Sequence, residues 1–220
     1  GKVEVKYMTA KEEDILTSQN LIQQGTVIDV LLQSLIVDKT INVNELLIGD
    51  KNAIMIAARI LGYGKDYEFE YDGIEQKVDL SKLNPVKIEF ENSPKGVNEF
   101  SYALPNSKRT ISFKLLNGKD EKQIESELKA LRKISKTQSS SLTTRLKKMI
   151  LSVDGNSEKS FINNFVENEF LSRDSLVFRQ YLTKITPDMD MTTTVNDSNG
   201  KETEVVIPIT VRFFWPATGI

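Results

Sequence analysis

The 220-residue sequence predicts an α+β fold with two related lobes, each a small helical bundle with a β-hairpin and flanking strands. Three observations predict it. Runs with a period of two stand beside segments whose apolar residues recur at helical spacing. Two Xaa-Gly turn signals, Asp72-Gly73 and Asn199-Gly200, each lie between strand-like runs. The order of elements over residues 1–83 then recurs over 100–215, which divides the chain into lobes at 1–85 and 86–220.

The elements follow in order. Val3, Val5 and Tyr7 alternate with Lys2, Glu4 and Lys6, as in a half-buried strand. Thr9-Ala10-Lys11-Glu12 reads as a capping box that opens a helix ending near Gly25. A strongly apolar helix spans about 26–37, and Asp50 reads as the N-cap of the next. Tyr67, Phe69 and Tyr71 alternate with acids up to Asp72-Gly73, and a return strand runs from Ile74 to Leu80. Residues 86–115 read mostly as β, with Val86, Ile88 and Phe90 in one run and Ile111, Phe113 and Leu115 in another. A long polar helix begins near Lys119 and is interrupted by Ser139-Ser140-Ser141. A short basic helix (142–151), a helix around Phe161 and Phe165, and an Asp174-capped helix ending at Thr186-Pro187 come next. Strands from Met189 to Val195 and from Glu202 to Phe214 close the chain around Asn199-Gly200.

The repeat rests on register. Setting Lys11 against Lys119 (119 − 11 = 108) brings Val3, Val5 and Tyr7 opposite Ile111, Phe113 and Leu115. Asp50 and Asp174 each open a helix that leads to a hairpin. A period this long implies two similar lobes rather than a solenoid.

Composition excludes more chemistry than it suggests. A 39% hydrophobic content can bury a core, and 27% charged residues keep it soluble. The net charge of −2 lacks the basic surplus of a general nucleic-acid binder. With no Cys and no His, disulfides, thiolate or imidazole zinc sites, Cys nucleophiles and His-based triads are excluded. No apolar run approaches the ~20 residues of a membrane span. The start at Gly1-Lys2-Val3 is not a signal peptide and is read as processed or trimmed. Neither a cofactor nor a metal is expected.

Candidate sites are few. Asp188-Met189-Asp190 could hold Mg²⁺ through two carboxylates, the basis of an alternative carboxylate-enzyme reading, but a solvated turn after Pro187 explains it. Glu12-Glu13-Asp14 suits the first turn of a helix, where carboxylates favour the macrodipole. Arg145-Leu146-Lys147-Lys148 reads as a solvated helix face, and Asn196-Asp197-Ser198 as a sequon without meaning absent secretion. Phe213-Phe214-Trp215 breaks the alternation of the last strand, so at least one ring is expected to face away from that strand's core side. The trio either closes the strand by filling gaps in its own domain or, since aromatic residues anchor interfaces, forms a docking edge. The hairpin tips, Tyr71-Asp72-Gly73 and Asn199-Gly200, complete the expected partner-binding set, with the apolar helix at Ile28–Ile36 as a further candidate.

Several stretches together resemble the baseplate hub and hub assembly proteins of T4-like contractile-tailed phages. They are Met8-Thr9-Ala10-Lys11-Glu12-Glu13-Asp14-Ile15-Leu16, Leu46-Leu47-Ile48-Gly49-Asp50 and Val78-Asp79-Leu80-Ser81-Lys82-Leu83 in the first half. In the second they are Asp174-Ser175-Leu176-Val177-Phe178-Arg179, Pro187-Asp188-Met189-Asp190-Met191 and the ending Pro208 to Pro216 with Phe213-Phe214-Trp215. Many relatives carry paired cysteines in both hairpins, like small zinc ribbons; here those places read Tyr71-Asp72-Gly73-Ile74 and Val195 to Gly200, with no thiolate. The resemblance implies a non-enzymatic virion protein of the tail baseplate, assembled in the host cytoplasm. Its implied partners are other hub and tail proteins, including the tape measure, with no nucleic acid and no membrane. A transient assembly chaperone absent from the finished virion is the alternative.

Overall fold

The computed structural model describes residues 2–88, 96–134, 141–209 and 211–214. In chain order the helices are α1 (Ala10–Thr17), α2 (Gln19–Gln24), α3 (Val27–Leu35), α4 (Ile48–Tyr63), α5 (Gly118–Ile134), α6 (Ser141–Met149), α7 (Lys159–Asn164) and α8 (Ser172–Ile185). The strands are β1 (Asp66–Tyr71), β2 (Ile74–Asp79), β3 (Phe100–Ala103), β4 (Thr110–Phe113), β5 (Ile150–Val153), β6 (Thr192–Asn196) and β7 (Glu202–Val206). All pairings between these strands are antiparallel, so the chain is a mixed α+β protein.

The chain forms two units, which do not follow the expected split at 85/86 alone. Unit 1 holds Gly1–Val86 together with Asp188–Ile220, and unit 2 is the intervening Lys87–Pro187. The reason lies in backbone pairing at the point of return. The amide of Val86 donates to the carbonyl of Asp188 at 2.8 Å, and that of Asp190 donates to Asn84 at 2.9 Å. Pro85 and Met189 bridge between them. The chain therefore leaves and re-enters unit 1 through two antiparallel segments, and both hairpins belong to this unit rather than one to each lobe.

In unit 1, α3 turns an apolar face to the core, where Leu31, Leu32, Leu35 and Ile36 have no solvent exposure. Around them pack Leu16, Ile54, Ile56, Tyr67, Leu80, Met191 and Ile207. The run Val3–Tyr7 does not extend into a strand; a single bridge joins Val5 to Ile36. The helix expected to run on to Gly25 breaks at Ser18, whose ψ of 105° is extended, and divides into α1 and α2. The helix expected to start at Asp50 begins at Ile48, with Asp50 in its first turn.

At the start of α1, Glu12 is fully buried. Its Oε2 accepts from the Thr9 amide (3.0 Å) and hydroxyl (2.6 Å), while Oε1 accepts from Lys6 Nζ (2.8 Å). Burial pushes this carboxyl up, but the hydrogen bonds from Lys6 and Thr9 outweigh it and hold the pKa at about 2. Arg59, also buried, donates to the carbonyls of Gly64 (2.9 Å) and Asp66 (3.0 Å), tying the end of α4 to the start of β1.

Unit 2 is built on the sheet β3-β4-β5. Ile111, Phe113 and Val153 face its core. Phe113 meets Phe178 of α8 edge-on with centroids 4.9 Å apart, and Tyr102 stacks on Tyr181 at 4.6 Å. Asp174 sits in the first turn of α8 but does not cap it; Leu171 holds the N-cap position. Its buried carboxylate instead accepts from the Asn106 amide (2.8 Å), the Asn106 side chain (2.8 Å) and the Ser107 amide (2.9 Å). That pins the β3–β4 turn to α8. The short basic segment after Ser141 ends as a helix at Met149, and Ile150 and Leu151 enter β5. Phe90, Pro94, Ser139 and Ser140 lie outside the described residues.

Candidate docking surface

The two hairpins of unit 1 meet along their length and at their tips. Both central residues of the first turn have positive φ, Asp72 at 51° and Gly73 at 76°, the type I′ geometry that an Asp-Gly pair favours. The second turn is wider. Asp197 and Lys201 close it through an amide–carbonyl bond of 3.0 Å, and Gly200 alone supplies the positive φ, at 75°. The Asp197 carboxylate braces this turn by accepting from the amides of Asn199 and Lys201, each at 2.9 Å.

Between the hairpins, Asp72 Oδ2 accepts from the Ser198 amide at 3.0 Å and from its hydroxyl at 2.5 Å. Further down, Gln76 Nε2 donates to the Asn196 carbonyl at 3.0 Å. Near the base, the Tyr67 hydroxyl donates to the Pro208 carbonyl at 3.1 Å. The hydrogen bonds from Ser198 hold the Asp72 carboxyl below the usual carboxylate range. Asp72, Gly73, Ser198, Asn199 and Gly200 are all exposed, and Tyr71 is half-buried. A polar tip in which hydrogen bonds join two hairpins can present backbone and side-chain groups of both turns to a partner.

Phe213 and Phe214 fill the core instead of forming a docking edge. Phe213 and Phe214 have 0% exposure. Strand β7 ends at Val206, and a 3-10 turn over Val211–Phe214 carries both rings into the unit 1 core. There Phe213 meets Tyr67 at 4.9 Å and Phe214 at 5.2 Å. Neither can anchor a partner in this fold, and Trp215 lies outside the described residues. In the apolar helix at Ile28–Ile36, Leu31, Leu32, Leu35 and Ile36 are buried in the core, while Val30 is exposed.

The remaining charged motifs serve local structure. Asp188 Oδ1 accepts from Asn52 Nδ2 (2.9 Å) and from the Met189 amide (2.7 Å). Asp190 Oδ1 accepts from the Thr192 amide (3.0 Å) and hydroxyl (2.5 Å), which lowers its pKa. Asp190 therefore braces its own turn, and Asp188 ties its segment to Asn52 of α4. Among the described residues no group of three or more His, Cys, Asp and Glu is arranged to hold a metal ion. In the basic cluster, Arg145 forms a two-pronged pair with Glu121 at 2.6 and 2.7 Å, Lys147 pairs with Glu167, and Lys148 donates to Gln123.

Comparison with family profiles, curated proteins and solved structures finds no match to this chain. The sequence reading identified the hairpin tips but missed Ser198, Gln76 and Asn196, which join the hairpins. No local signal links Asp72 to a serine 126 residues away.

Proposed function

We propose that this chain is a component of the baseplate hub of a contractile-tailed phage, acting by protein–protein docking either as a built-in subunit or as an assembly factor. The resemblance of stretches spread over nearly the whole sequence supports the phage assignment. The observation that carries the docking mechanism is the coupled hairpin tip, in which Asp72 and Ser198 join two exposed turns into one polar surface. The relatives' zinc-ribbon cysteines would stiffen each hairpin with a metal; here hydrogen bonds between hairpins take that part. The expected docking set thus narrows to Tyr71, Asp72, Gly73, Asn199 and Gly200, joined by Ser198. Other hub or tail proteins are the proposed partners.

Quantitative mass spectrometry of purified particles beside baseplate intermediates tests this reading. A fixed ratio to hub proteins in finished particles makes the chain a structural subunit. Its presence only in intermediates makes it an assembly chaperone. Absence from both rejects the phage assignment.

A further inference from the structure

The near-zero net charge conceals a segregation. Residues 1–86 with 188–220 hold 11 Lys+Arg against 19 Asp+Glu, a net −8, while residues 87–187 hold 18 against 12, a net +6; together these give the −2 of the whole chain. Two exposed faces carry much of the contrast.

The first face is the outer side of the hairpins. On β1–β2 it presents Asp66, Glu68, Glu70 and Glu75, with Lys77 paired to Asp66 and Glu68. Glu70 lies directly opposite Glu75 in the strand register, and neither has an ion-pair partner among the described residues. Like charges facing each other across a ladder destabilise it, and a cation arriving from outside relieves the repulsion. On β6–β7 the outer side presents Glu202, Glu204 and Val206 in alternation, with no cation in either strand. Val206 is 69% exposed, the highest exposure, with Tyr7, among the large apolar side chains described.

The second face is the outer side of α8 in unit 2. Arg173, Leu176 and Gln180 recur at helical spacing and are exposed, flanked by exposed Arg179 and Lys184. The one acid of this helix, Asp174, is turned inward and buried. Leu171 at the helix start and Leu176 are 48% and 49% exposed. Exposed leucines set among arginines suit a protein surface with acids around an apolar centre, more than a nucleic-acid backbone, which needs the cations alone.

We infer that the acidic hairpin face of one copy docks on the α8 face of a second copy. Glu202 and Glu204 meet Arg173 and Arg179, and Val206 packs against Leu171 and Leu176. Charge complementarity commits the surface to this occupant, because one chain carries both faces with excesses of opposite sign and similar size. The contact is head-to-tail, so it propagates into a ring or a filament rather than stopping at a two-fold dimer. It stands independently of the phage assignment.

Sedimentation of the purified full chain tests it. At about 0.02 M salt the mass rises with concentration above the 24.9 kDa of one chain, and raising salt to about 0.5 M weakens association at least roughly tenfold. The double variants R173E/R179E and E202K/E204K each stay monomeric alone. Mixed in equal amounts they associate again, since the reversed α8 face of one complements the reversed hairpin face of the other, and the two unaltered faces still complement each other. All four substituted residues are exposed, and unchanged circular dichroism confirms that each variant is folded. A wild-type chain that stays monomeric at low salt overturns the inference, whether the acidic and basic faces then meet within one chain or take another partner. So does association that both variants retain, or a mixture that fails to reassociate. Retention on a polyanion column by a chain that remains monomeric assigns the α8 face to nucleic acid instead.

Discussion

The carboxylate of Asp72, at the tip of one hairpin, accepts both the amide and the hydroxyl of Ser198, at the tip of the other, across 126 residues of sequence. The pair makes one surface out of two turns that would otherwise move separately, since an isolated two-stranded hairpin is only marginally stable. Asp72→Ala is expected to leave the fold intact and to speed hydrogen exchange at the Ser198 amide, because that amide loses its acceptor. The pH dependence has a fixed sign. The folded carboxyl titrates below its ordinary 3.8, so the coupling is fully present above that value and is lost as pH falls through the lowered folded pKa. Amide exchange at Ser198, followed by NMR in wild type and D72A, checks both statements. Unchanged protection in D72A would show that the tips are held by other means.

Phe213 separates a core role from a docking role. With no exposure and an edge contact to Tyr67, its truncation leaves a cavity in the unit 1 core. Phe213→Ala is expected to destabilise the free protein by about 3–5 kcal/mol. Urea unfolding of the purified chain measures this. A loss below about 1 kcal/mol would return Phe213 to the docking role that the sequence left open.

Local chemistry was legible in the sequence, and long-range pairing was not. Asp72-Gly73 announced its own turn because both positions need positive φ, which Gly and Asp tolerate. The apolar run of α3 gave a helix, but nothing local said that Leu31, Leu32 and Leu35 would turn into the unit's own core rather than toward a partner. Pro208 was the overlooked signal at the C-terminus. A proline cannot donate to a ladder, so Pro208 argues against one continuous strand over residues 205–211. The chain leaves the sheet after Val206 and delivers Phe213 and Phe214 to the core. The division into units escaped for a related reason. The 84–86 and 188–190 segments pair through backbone groups, which every sequence possesses. The same holds for the hairpin junction, where Ser198 reads locally as an ordinary turn residue.

Glu12 predicts an acid-sensitive unit 1. Its folded pKa of about 2 lies below the unfolded 4.5, so its contribution is complete above pH 4.5 and disappears as pH falls toward 2. Glu12→Gln keeps the shape but removes the charge that Lys6 and Thr9 address. With the carboxylate buried and accepting from Lys6, Thr9 and Ser34, the expected loss at neutral pH is about 2–3 kcal/mol. The variant should also lose part of the wild-type slope of stability between pH 4.5 and 2. Urea midpoints across that range, compared for wild type and E12Q, decide the matter; parallel curves would show that Glu12 does not titrate with folding.

Asp174 makes the corresponding prediction for unit 2, with a different structural consequence. Burial pushes its carboxyl up, and the hydrogen bonds from Asn106 and Ser107 outweigh that and hold it at about 2, below the ordinary 3.8. Stability from this group is therefore present above pH 3.8 and lost as pH falls toward 2. Asp174→Ala leaves the amides of Asn106 and Ser107 without their acceptor beneath α8, at an expected cost of about 2–4 kcal/mol. The damage should be local, because the turn between β3 and β4 is what the carboxylate holds. In amide exchange, residues 104–110 and the first turn of α8 are expected to lose protection, while α3 in unit 1 keeps its own. Equal loss of protection in α3 would mean that the two units unfold as one, and that Asp174 supports both.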